Sequence, residues 1–395
     1  MRKRYRKYIS TTAAKTLGMQ YFFIKFLKKW RKNDTILRKF FINLRKPGKE
    51  PHKMKETLAS LSQKTGYSIT TISRVLSGKS KQYRISKETQ DTILEAAKKN
   101  NYFPNIVAQN LRTNKTDTIG LMVPELANPY FADIASTIVC EARRYNYTTI
   151  VIDSAENTTI EKNGISSLMS RQVEGIIAVP CGEDPSLFEE INRKYLPVIL
   201  IDRYFTESSL PYVTTNNFLG SIEAINHLIM NGHSQIACIQ GVTSSLPNKK
   251  RVSGYLAALE KAGIRDKATV VGNEFSVQNG YLETKLLLNK QTRPTAIFAL
   301  SNTIMLGAMK AIREAGLRIP EDISLIGFDN NLYMDYMTPA LTRIGQPTEE
   351  MGKLATKLLF ESISSGRRCS TQLELAPRLI TRGSVCAPGV ALRKG

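Results

Sequence analysis

The chain has 395 residues, 42% of them apolar, and 56 Lys and Arg against 34 Asp and Glu give a formal net charge of +22. That length accommodates two or three domains, and that apolar share excludes a chain disordered throughout. Five scattered cysteines (Cys140, Cys181, Cys238, Cys369, Cys386) without a CxxC pair, and only three histidines, argue against bound metal and a disulfide framework. Thiols in a reducing cytoplasm are the plain reading.

Residues 1–53 carry 17 Lys/Arg and 2 Asp/Glu, a charge of +15, with an aromatic run Tyr21-Phe22-Phe23-Ile24-Lys25-Phe26-Leu27. Met54 directly precedes the first predicted helix, so 1–53 is read as a basic extension outside the fold and not part of the native protein. An extra DNA or membrane arm, or an Arg-rich transit peptide, is the alternative. Residues 54–115 add +7, and the remaining 280 residues are neutral. No apolar run approaches the ~20 residues of a membrane span.

Leu58-Ala59-Ser60-Leu61-Ser62-Gln63-Lys64-Thr65 reads as a first helix, ended by Gly66. A second follows over Ser68–Gly78. Ser68 is its N-cap, Ile72, Val75 and Leu76 form its apolar face, and Gly78 is its stop. The opposite face offers Ile69, Thr70, Thr71, Ser73 and Arg74. Small side chains admit a close backbone approach, hydroxyls bind phosphate or base edges, and Arg grips guanine. Two helices joined at Gly66-Tyr67 make a helix-turn-helix candidate; an ordinary helical hairpin is the plain alternative. Ser86 caps a third helix over 86–103, with Ile93, Leu94, Ala96 and Ala97 predicted to pack inward. Pro104-Asn105-Ile106-Val107-Ala108-Gln109-Asn110-Leu111-Arg112 is too short to be helical alone. It is either a plain linker or a hinge that folds on DNA.

From Thr118 the pattern alternates strand and helix. Continuous β-branched runs at 119–123, 149–152, 175–179, 198–201, 236–239, 296–300 and 323–328 fit parallel strands buried on both faces. Helical stretches include 130–145, 218–231, 251–262, 303–315 and 348–363. This is an α/β arrangement of doubly wound parallel sheets, long enough for two lobes. Ligands in such folds lie beyond the carboxyl ends of the strands, where Asp153, Asp202, Arg203, Asn302 and Asp329 stand.

From about Leu58 to Ser384 the chain resembles the LacI/GalR family of bacterial transcription regulators. The residues carrying the resemblance are Ser68–Gly78, Tyr102-Phe103-Pro104-Asn105 with Leu111-Arg112, Asn128-Pro129-Tyr130-Phe131, Gly232-His233, Ile319-Pro320-Glu321-Asp322-Ile323-Ser324 and Gly327-Phe328-Asp329. Any one alone is weak; together they are specific. The resemblance implies an all-α helix-turn-helix headpiece (54–103) and a hinge (104–115). After these comes a two-lobed, periplasmic-binding-protein-like core (116–395) that binds effector and dimerises.

By position, the resemblance gives DNA contacts to Ser68, Ile69, Thr70, Thr71, Ser73, Arg74, Asn105, Ala108 and Leu111. Ile69 and Thr70 read bases, Arg74 also touches bases, and Leu111 wedges into the minor groove with Ala108 packed beside it. Such a wedge kinks the duplex, and two hinges from a homodimer imply a pseudo-palindromic operator. Thymine methyls under Ile69 and Thr70 and a guanine under Arg74 are expected; Lys79, Lys81, Arg84 and Lys115 are read as phosphate clamps or solvated charges. The effector, a sugar or related metabolite, is expected against an aromatic wall of Tyr130 and Phe131, with Asp202, Arg251, Asn302 and Asp329 holding its polar groups. Thr303 stands where the family often has Asp, which removes a charge near the cleft and weakens transfer of any particular ligand.

The function implied is a cytoplasmic, ligand-responsive repressor with no cofactor, no metal and no catalytic residues. The rival is an exported sugar-binding protein of an uptake system, which shares the lobes but needs an export signal and has no headpiece. An α/β enzyme is the second rival, but no GxGxxG after a strand, P-loop or GxSxG is present. No long C-terminal leucine heptad supports a tetramer.

Overall fold

A computed structural model of the chain describes residues 56–102 and 115–389, which fall into two compact units. The proposed hinge residues Asn105, Ala108 and Leu111, and the basic extension 1–53, lie outside the described residues.

The first unit holds three helices, α1 (Leu58–Thr65), α2 (Ile69–Leu76) and α3 (Lys87–Lys99). A reciprocal cap starts α1: Thr57 Oγ1 accepts from Ser60 N at 3.2 Å, and Ser60 Oγ accepts from Thr57 N at 2.9 Å. Gly66 ends it at φ 74°, a conformation that costs a residue without Cβ little. Ser68 Oγ accepts from Thr71 N at 3.1 Å and so fixes the start of α2.

Helix α3 stops short of the predicted 103. Asn100 Nδ2 donates to Ala96 O at 2.7 Å, and Asn101 turns left-handed at φ 48°. Leu61, Ile72, Val75, Ile93 and Ala97 form the core. Leu94, predicted inward, is 47% exposed. Its neighbour Ile93 lies about 100° away around the helix, and a core this small receives only one of the two.

The second unit contains twelve strands among the described residues. They are β1 (Thr118–Val123), β2 (Thr148–Asp153), β3 (Ile176–Ala178), β4 (Val198–Ile201), β5 (Tyr212–Thr215), β6 (Ile236–Ile239), β7 (Thr269–Val271), β8 (Ala296–Ala299), β9 (Ser324–Phe328), β10 (Thr342–Gly345), β11 (Gln372–Leu375) and β12 (Arg378–Ile380). They make two six-stranded sheets, in the orders β11-β5-β4-β3-β1-β2 and β12-β10-β9-β8-β6-β7. Every pairing is parallel except β10 with β12, an antiparallel edge.

In the first lobe, alternate residues of one strand feed two cores. Ile119, Leu121 and Val123 face α4 (Pro129–Arg144) and the C-terminal helix (Thr348–Ser365). Met122 faces α5 (Thr158–Ser170) and α6 (Ser186–Lys194). In the second lobe α7 (Asn217–Met230), α8 (Leu246–Lys261), α9 (Val277–Leu288) and α10 (Asn302–Glu314) enclose the other sheet. The C-terminal helix, α11, returns to the first lobe. The chain therefore crosses between lobes three times, at Asn216, Gln346 and Ala376-Pro377.

Candidate functional site

Two surfaces carry the residues singled out above. On the three-helix unit, Ile69 is 48% exposed and Thr70 is exposed beside it, at the start of α2. Thr71, Ser73 and Arg74 are half-buried, because the helix also presses Ile72 and Val75 into the core. Ser68 and Thr71 share a hydroxyl contact of 2.9 Å. Arg74 lies with its guanidinium carbon 3.8 Å from the centre of the Tyr83 ring, a partner that periodicity did not single out. Lys79, Lys81 and Arg84 are exposed.

In the second unit a cavity of about 490 Å³ opens between the lobes. Asp153, the last residue of β2, and Pro124, Asp202, Ser301 and Asp329 just beyond β1, β4, β8 and β9 line it. Of the six effector residues expected, Tyr130, Phe131, Asp202, Arg251 and Asp329 line this cavity and all are buried. Tyr130 and Phe131 stand at the start of α4, where Asn128 Oδ1 caps Tyr130 N at 3.1 Å, and their rings meet edge to face at 5.1 Å.

Asn302 does not line the cavity. Its Nδ2 donates to Asn128 Oδ1 at 3.0 Å and Asn331 Oδ1 at 2.7 Å, and its backbone N donates to Asp329 Oδ2 at 2.9 Å. It thus ties the two lobes together behind the site and holds Asp329 in place.

Arg251 is fixed on three sides. Nε donates to Asn217 Oδ1 at 2.7 Å, Nη1 donates to Leu300 O at 2.6 Å, and the guanidinium carbon lies 3.8 Å from the Phe328 ring centre. A planar cation so held suits directional polar recognition. Arg203 is committed differently, with Nη1 and Nη2 donating to the two Glu156 oxygens at 2.7 and 2.5 Å. Burial works most strongly against its charge, but Glu156 and Asp202 together outweigh it and hold the pKa above the usual value.

The carboxylates respond to their crowding. Burial pushes Asp202 above the usual carboxylate range, against the opposing pull of Arg203 and Tyr130. Burial, with Asp153, Glu156 and Glu274 nearby, also raises Glu125. Thr303, at the departure from the family pattern, donates to Phe275 O at 3.1 Å. Phe275 is itself a wall of the cavity, so a neutral hydroxyl there anchors the wall. Burial pushes the Cys181 thiol up to about 12, which works against thiolate formation.

Sequence reasoning missed Gln346, Glu156, Glu274 and Phe275. Gln346 sits in an interlobe crossing, where no strand or helix pattern marks a site, yet it bonds both Tyr130 and Asp329.

Residues 57–105 match the family profile described as bacterial regulatory proteins, lacI family. Residues 116–382 match periplasmic binding proteins and sugar binding domain of LacI family. The chain is 33% identical to the HTH-type transcriptional repressor PurR of Edwardsiella ictaluri, over 83% of this chain and 96% of the relative. It is 31% identical to the ribose operon repressor of Haemophilus influenzae, over 83% and 98%. The structure superposes on the lac repressor dimer bound to operator and the anti-inducer ONPF with a TM-score of 0.76, 27% identity and coverage of 84% and 99%. A LacI family regulator from Enterococcus faecium with bound ribose gives 0.63, 30%, 68% and 99%. With a helix-turn-helix unit, a cleft between two parallel-sheet lobes and both family profiles matched in order, the chain belongs to the LacI family of DNA-binding transcriptional regulators.

Proposed function

We propose that the chain is a cytoplasmic, homodimeric repressor, with no catalytic activity of its own, whose operator affinity is set by a sugar or related metabolite bound between the lobes. The observation that carries the effector reading is the buried pair Asp329 and Arg251 on one cavity, each already oriented by its own hydrogen bonds. Preorganised polar groups beside aromatic walls are what hydroxyl-rich ligands require, and the volume suits a small metabolite. The ribose bound by the Enterococcus faecium relative supports the same class. Ile69, Thr70 and Arg74 read the bases, Ser68, Thr71 and Ser73 approach the backbone, and Asn105, Ala108 and Leu111 of the hinge engage the operator centre. The effector acts only through differential affinity for DNA-competent and DNA-incompetent lobe arrangements.

The test is selection of bound duplexes from a random pool by the chain beginning at Met54, with and without sugar and nucleobase mixtures. A pseudo-palindrome centred on a flexible pyrimidine–purine step is expected. Recovery of only salt-sensitive, unspecific DNA under every condition overturns the reading.

A further inference from the structure

One line of side chains runs from the first lobe, through a crossing, into the second. Asp202 Oδ1 lies 2.6 Å from Tyr130 Oη. Tyr130 Oη lies 3.1 Å from one end of the Gln346 amide, whose other end lies 2.7 Å from Asp329 Oδ1. All four residues are buried. Each of the three contacts needs one proton between its heavy atoms.

The tyrosine hydroxyl supplies one proton. The amide nitrogen supplies one more, at whichever end it lies, because the amide oxygen occupies the other end. If nitrogen faces Asp329, the hydroxyl serves only one of its two acceptors and the third proton must sit on Asp202. If the amide is turned over, nitrogen serves Tyr130 and the third proton must sit on Asp329. Two ionised carboxylates leave one buried oxygen–oxygen contact without a proton in either orientation.

We infer that the cleft binds one proton on the Asp202–Asp329 pair, and that Tyr130 and Gln346 carry it as a hydrogen-bonded line joining the lobes. The surroundings place it on Asp202. Asp329 Oδ2 already accepts a hydrogen bond from Asn302 N, whereas Asp202 Oδ2 has no such donor among the described residues. The nearest cation to Asp202 Oδ2 is Arg203 Nε at 3.9 Å, on a guanidinium already bound to Glu156.

The other charged and titratable groups around Asp202 are Tyr130 on α4, Arg251 on α8 and Asp329 beyond β9. Lys250, Tyr204 and Glu374 share a small cavity of about 170 Å³ with it. Around Asp329 stand Tyr130, Tyr333 and Arg251. As pH rises and Asp202 ionises, the line loses its third proton and the lobes lose one bond between them. An effector hydroxyl reaching Asp202 competes for the same oxygen, so occupancy and protonation are linked.

The test is an infrared difference spectrum of the effector-free full chain near neutral pH, recorded as wild type minus Asp202→Asn and wild type minus Asp329→Asn. The expected loss is the carbonyl stretch of an un-ionised carboxyl group in the first difference, or in the second if the amide is turned over. Loss of ionised carboxylate bands in both differences overturns the proposal. Asp202→Asn mimics the protonated acid in size and neutrality and so is expected to fold. Should it not, Tyr130→Phe removes the hydroxyl bonded to Asp202 and must move the un-ionised carboxyl band unless Asp329→Asn has already removed that band; an unmoved band that Asp329→Asn also leaves in place overturns the proposal equally.

The regulatory consequence rests on the effector-controlled repressor reading. It predicts that operator affinity changes with pH by up to about tenfold per unit in the wild type and is flat in Asp202→Asn. Equal slopes overturn the coupling while the infrared difference still decides the proton, so the two failures are distinguishable.

Discussion

The guanidinium of Arg74 is stacked on the ring of Tyr83, 3.8 Å from its centre, so the side chain assigned to a guanine is held by a residue beyond its own helix. An exposed stack of this kind contributes about 0.5–1 kcal/mol. Tyr83→Ala is expected to weaken operator binding a few fold, and Tyr83→Phe to preserve it. Arg74→Ala is expected to cost about 1–3 kcal/mol and to relax preference at one base pair. Anisotropy titrations against operators varied at each position check this; equal losses for Tyr83→Phe and Tyr83→Ala would show that the hydroxyl, not the ring, is the important part.

In the cleft, Asp329→Ala leaves Asn302 N and Gln346 Nε2 without their acceptor. If Asp329 binds effector, the substitution removes a charge-assisted bond of about 1.5–3 kcal/mol, a roughly ten- to hundredfold loss of effector affinity. Operator binding without effector should persist. Paired calorimetry for effector and gel shift for DNA separate the two effects, and parallel loss of both would argue for a folding defect instead.

Two pH windows follow from one buried group, His233, and one exposed ion-paired group, Asp335. His233 is neutral in the fold: burial lowers its pKa, and Nε2 lies 2.8 Å from Cys386 O while Nδ1 lies 2.8 Å from Thr295 Oγ1. A depressed folded value means the unfolded chain binds the extra proton first. Stability is therefore complete above about pH 6.5 and falls as pH drops below it. Asp335, bonded to Arg343 and Arg382, is held down at about 2, so its contribution is lost only as pH falls from about 4 towards 2. Thermal melts across both ranges should show two separate declines, the lower one small because water and salt screen the exposed Asp335, and His233→Gln should shrink the first slope to the share left by His227, whose pKa burial also lowers.

Helices α9 and α10 pack through glycine. A Cβ on Gly280 would lie 2.1 Å from Ile304 O, and one on Gly307 would lie 2.0 Å from Val277 O. Neither backbone carbonyl can move without displacing its helix. Gly280→Ala or Gly307→Ala is expected to destabilise by about 1–3 kcal/mol or more, despite alanine's better helix propensity. Urea unfolding measures it; a gain in midpoint would mean that the helices separate freely.

The residues that were legible in the sequence are those with a periodic signature. β4 and β6 run 198–201 and 236–239 as predicted, because they are continuous apolar runs buried on both faces. β5, β7, β10, β11 and β12 were not predicted. They are three or four residues long and carry Thr, Arg or Glu at positions that the neighbouring strand, not burial alone, makes extended. Helix α8 begins at Leu246, not 251, since the polar turn Pro247-Asn248-Lys249-Lys250 hides its start.

Five of the six effector residues share a cavity because two strand ends, the start of α4 and the second turn of α8 project them there. The sixth, Asn302, looks the same in sequence but points to Asn128 and Asn331. Gln346 was illegible for the opposite reason: its partners lie 216 and 17 residues away, and no local pattern encodes them.

The return of α11 and β11 to the first lobe has a consequence for synthesis. Strand β5 is an edge until Gln372–Leu375 pairs with it, and the face bearing Ile119 and Leu121 is covered by α4 alone until Met351, Ala355 and Leu359 arrive. The lobe translated first therefore waits for segments made after most of the second. During translation it exposes apolar surface while β6 to β10 of the second lobe are being made, and an early stop between residues 346 and 371 releases a chain that lacks β11 of the first lobe and β12 of the second.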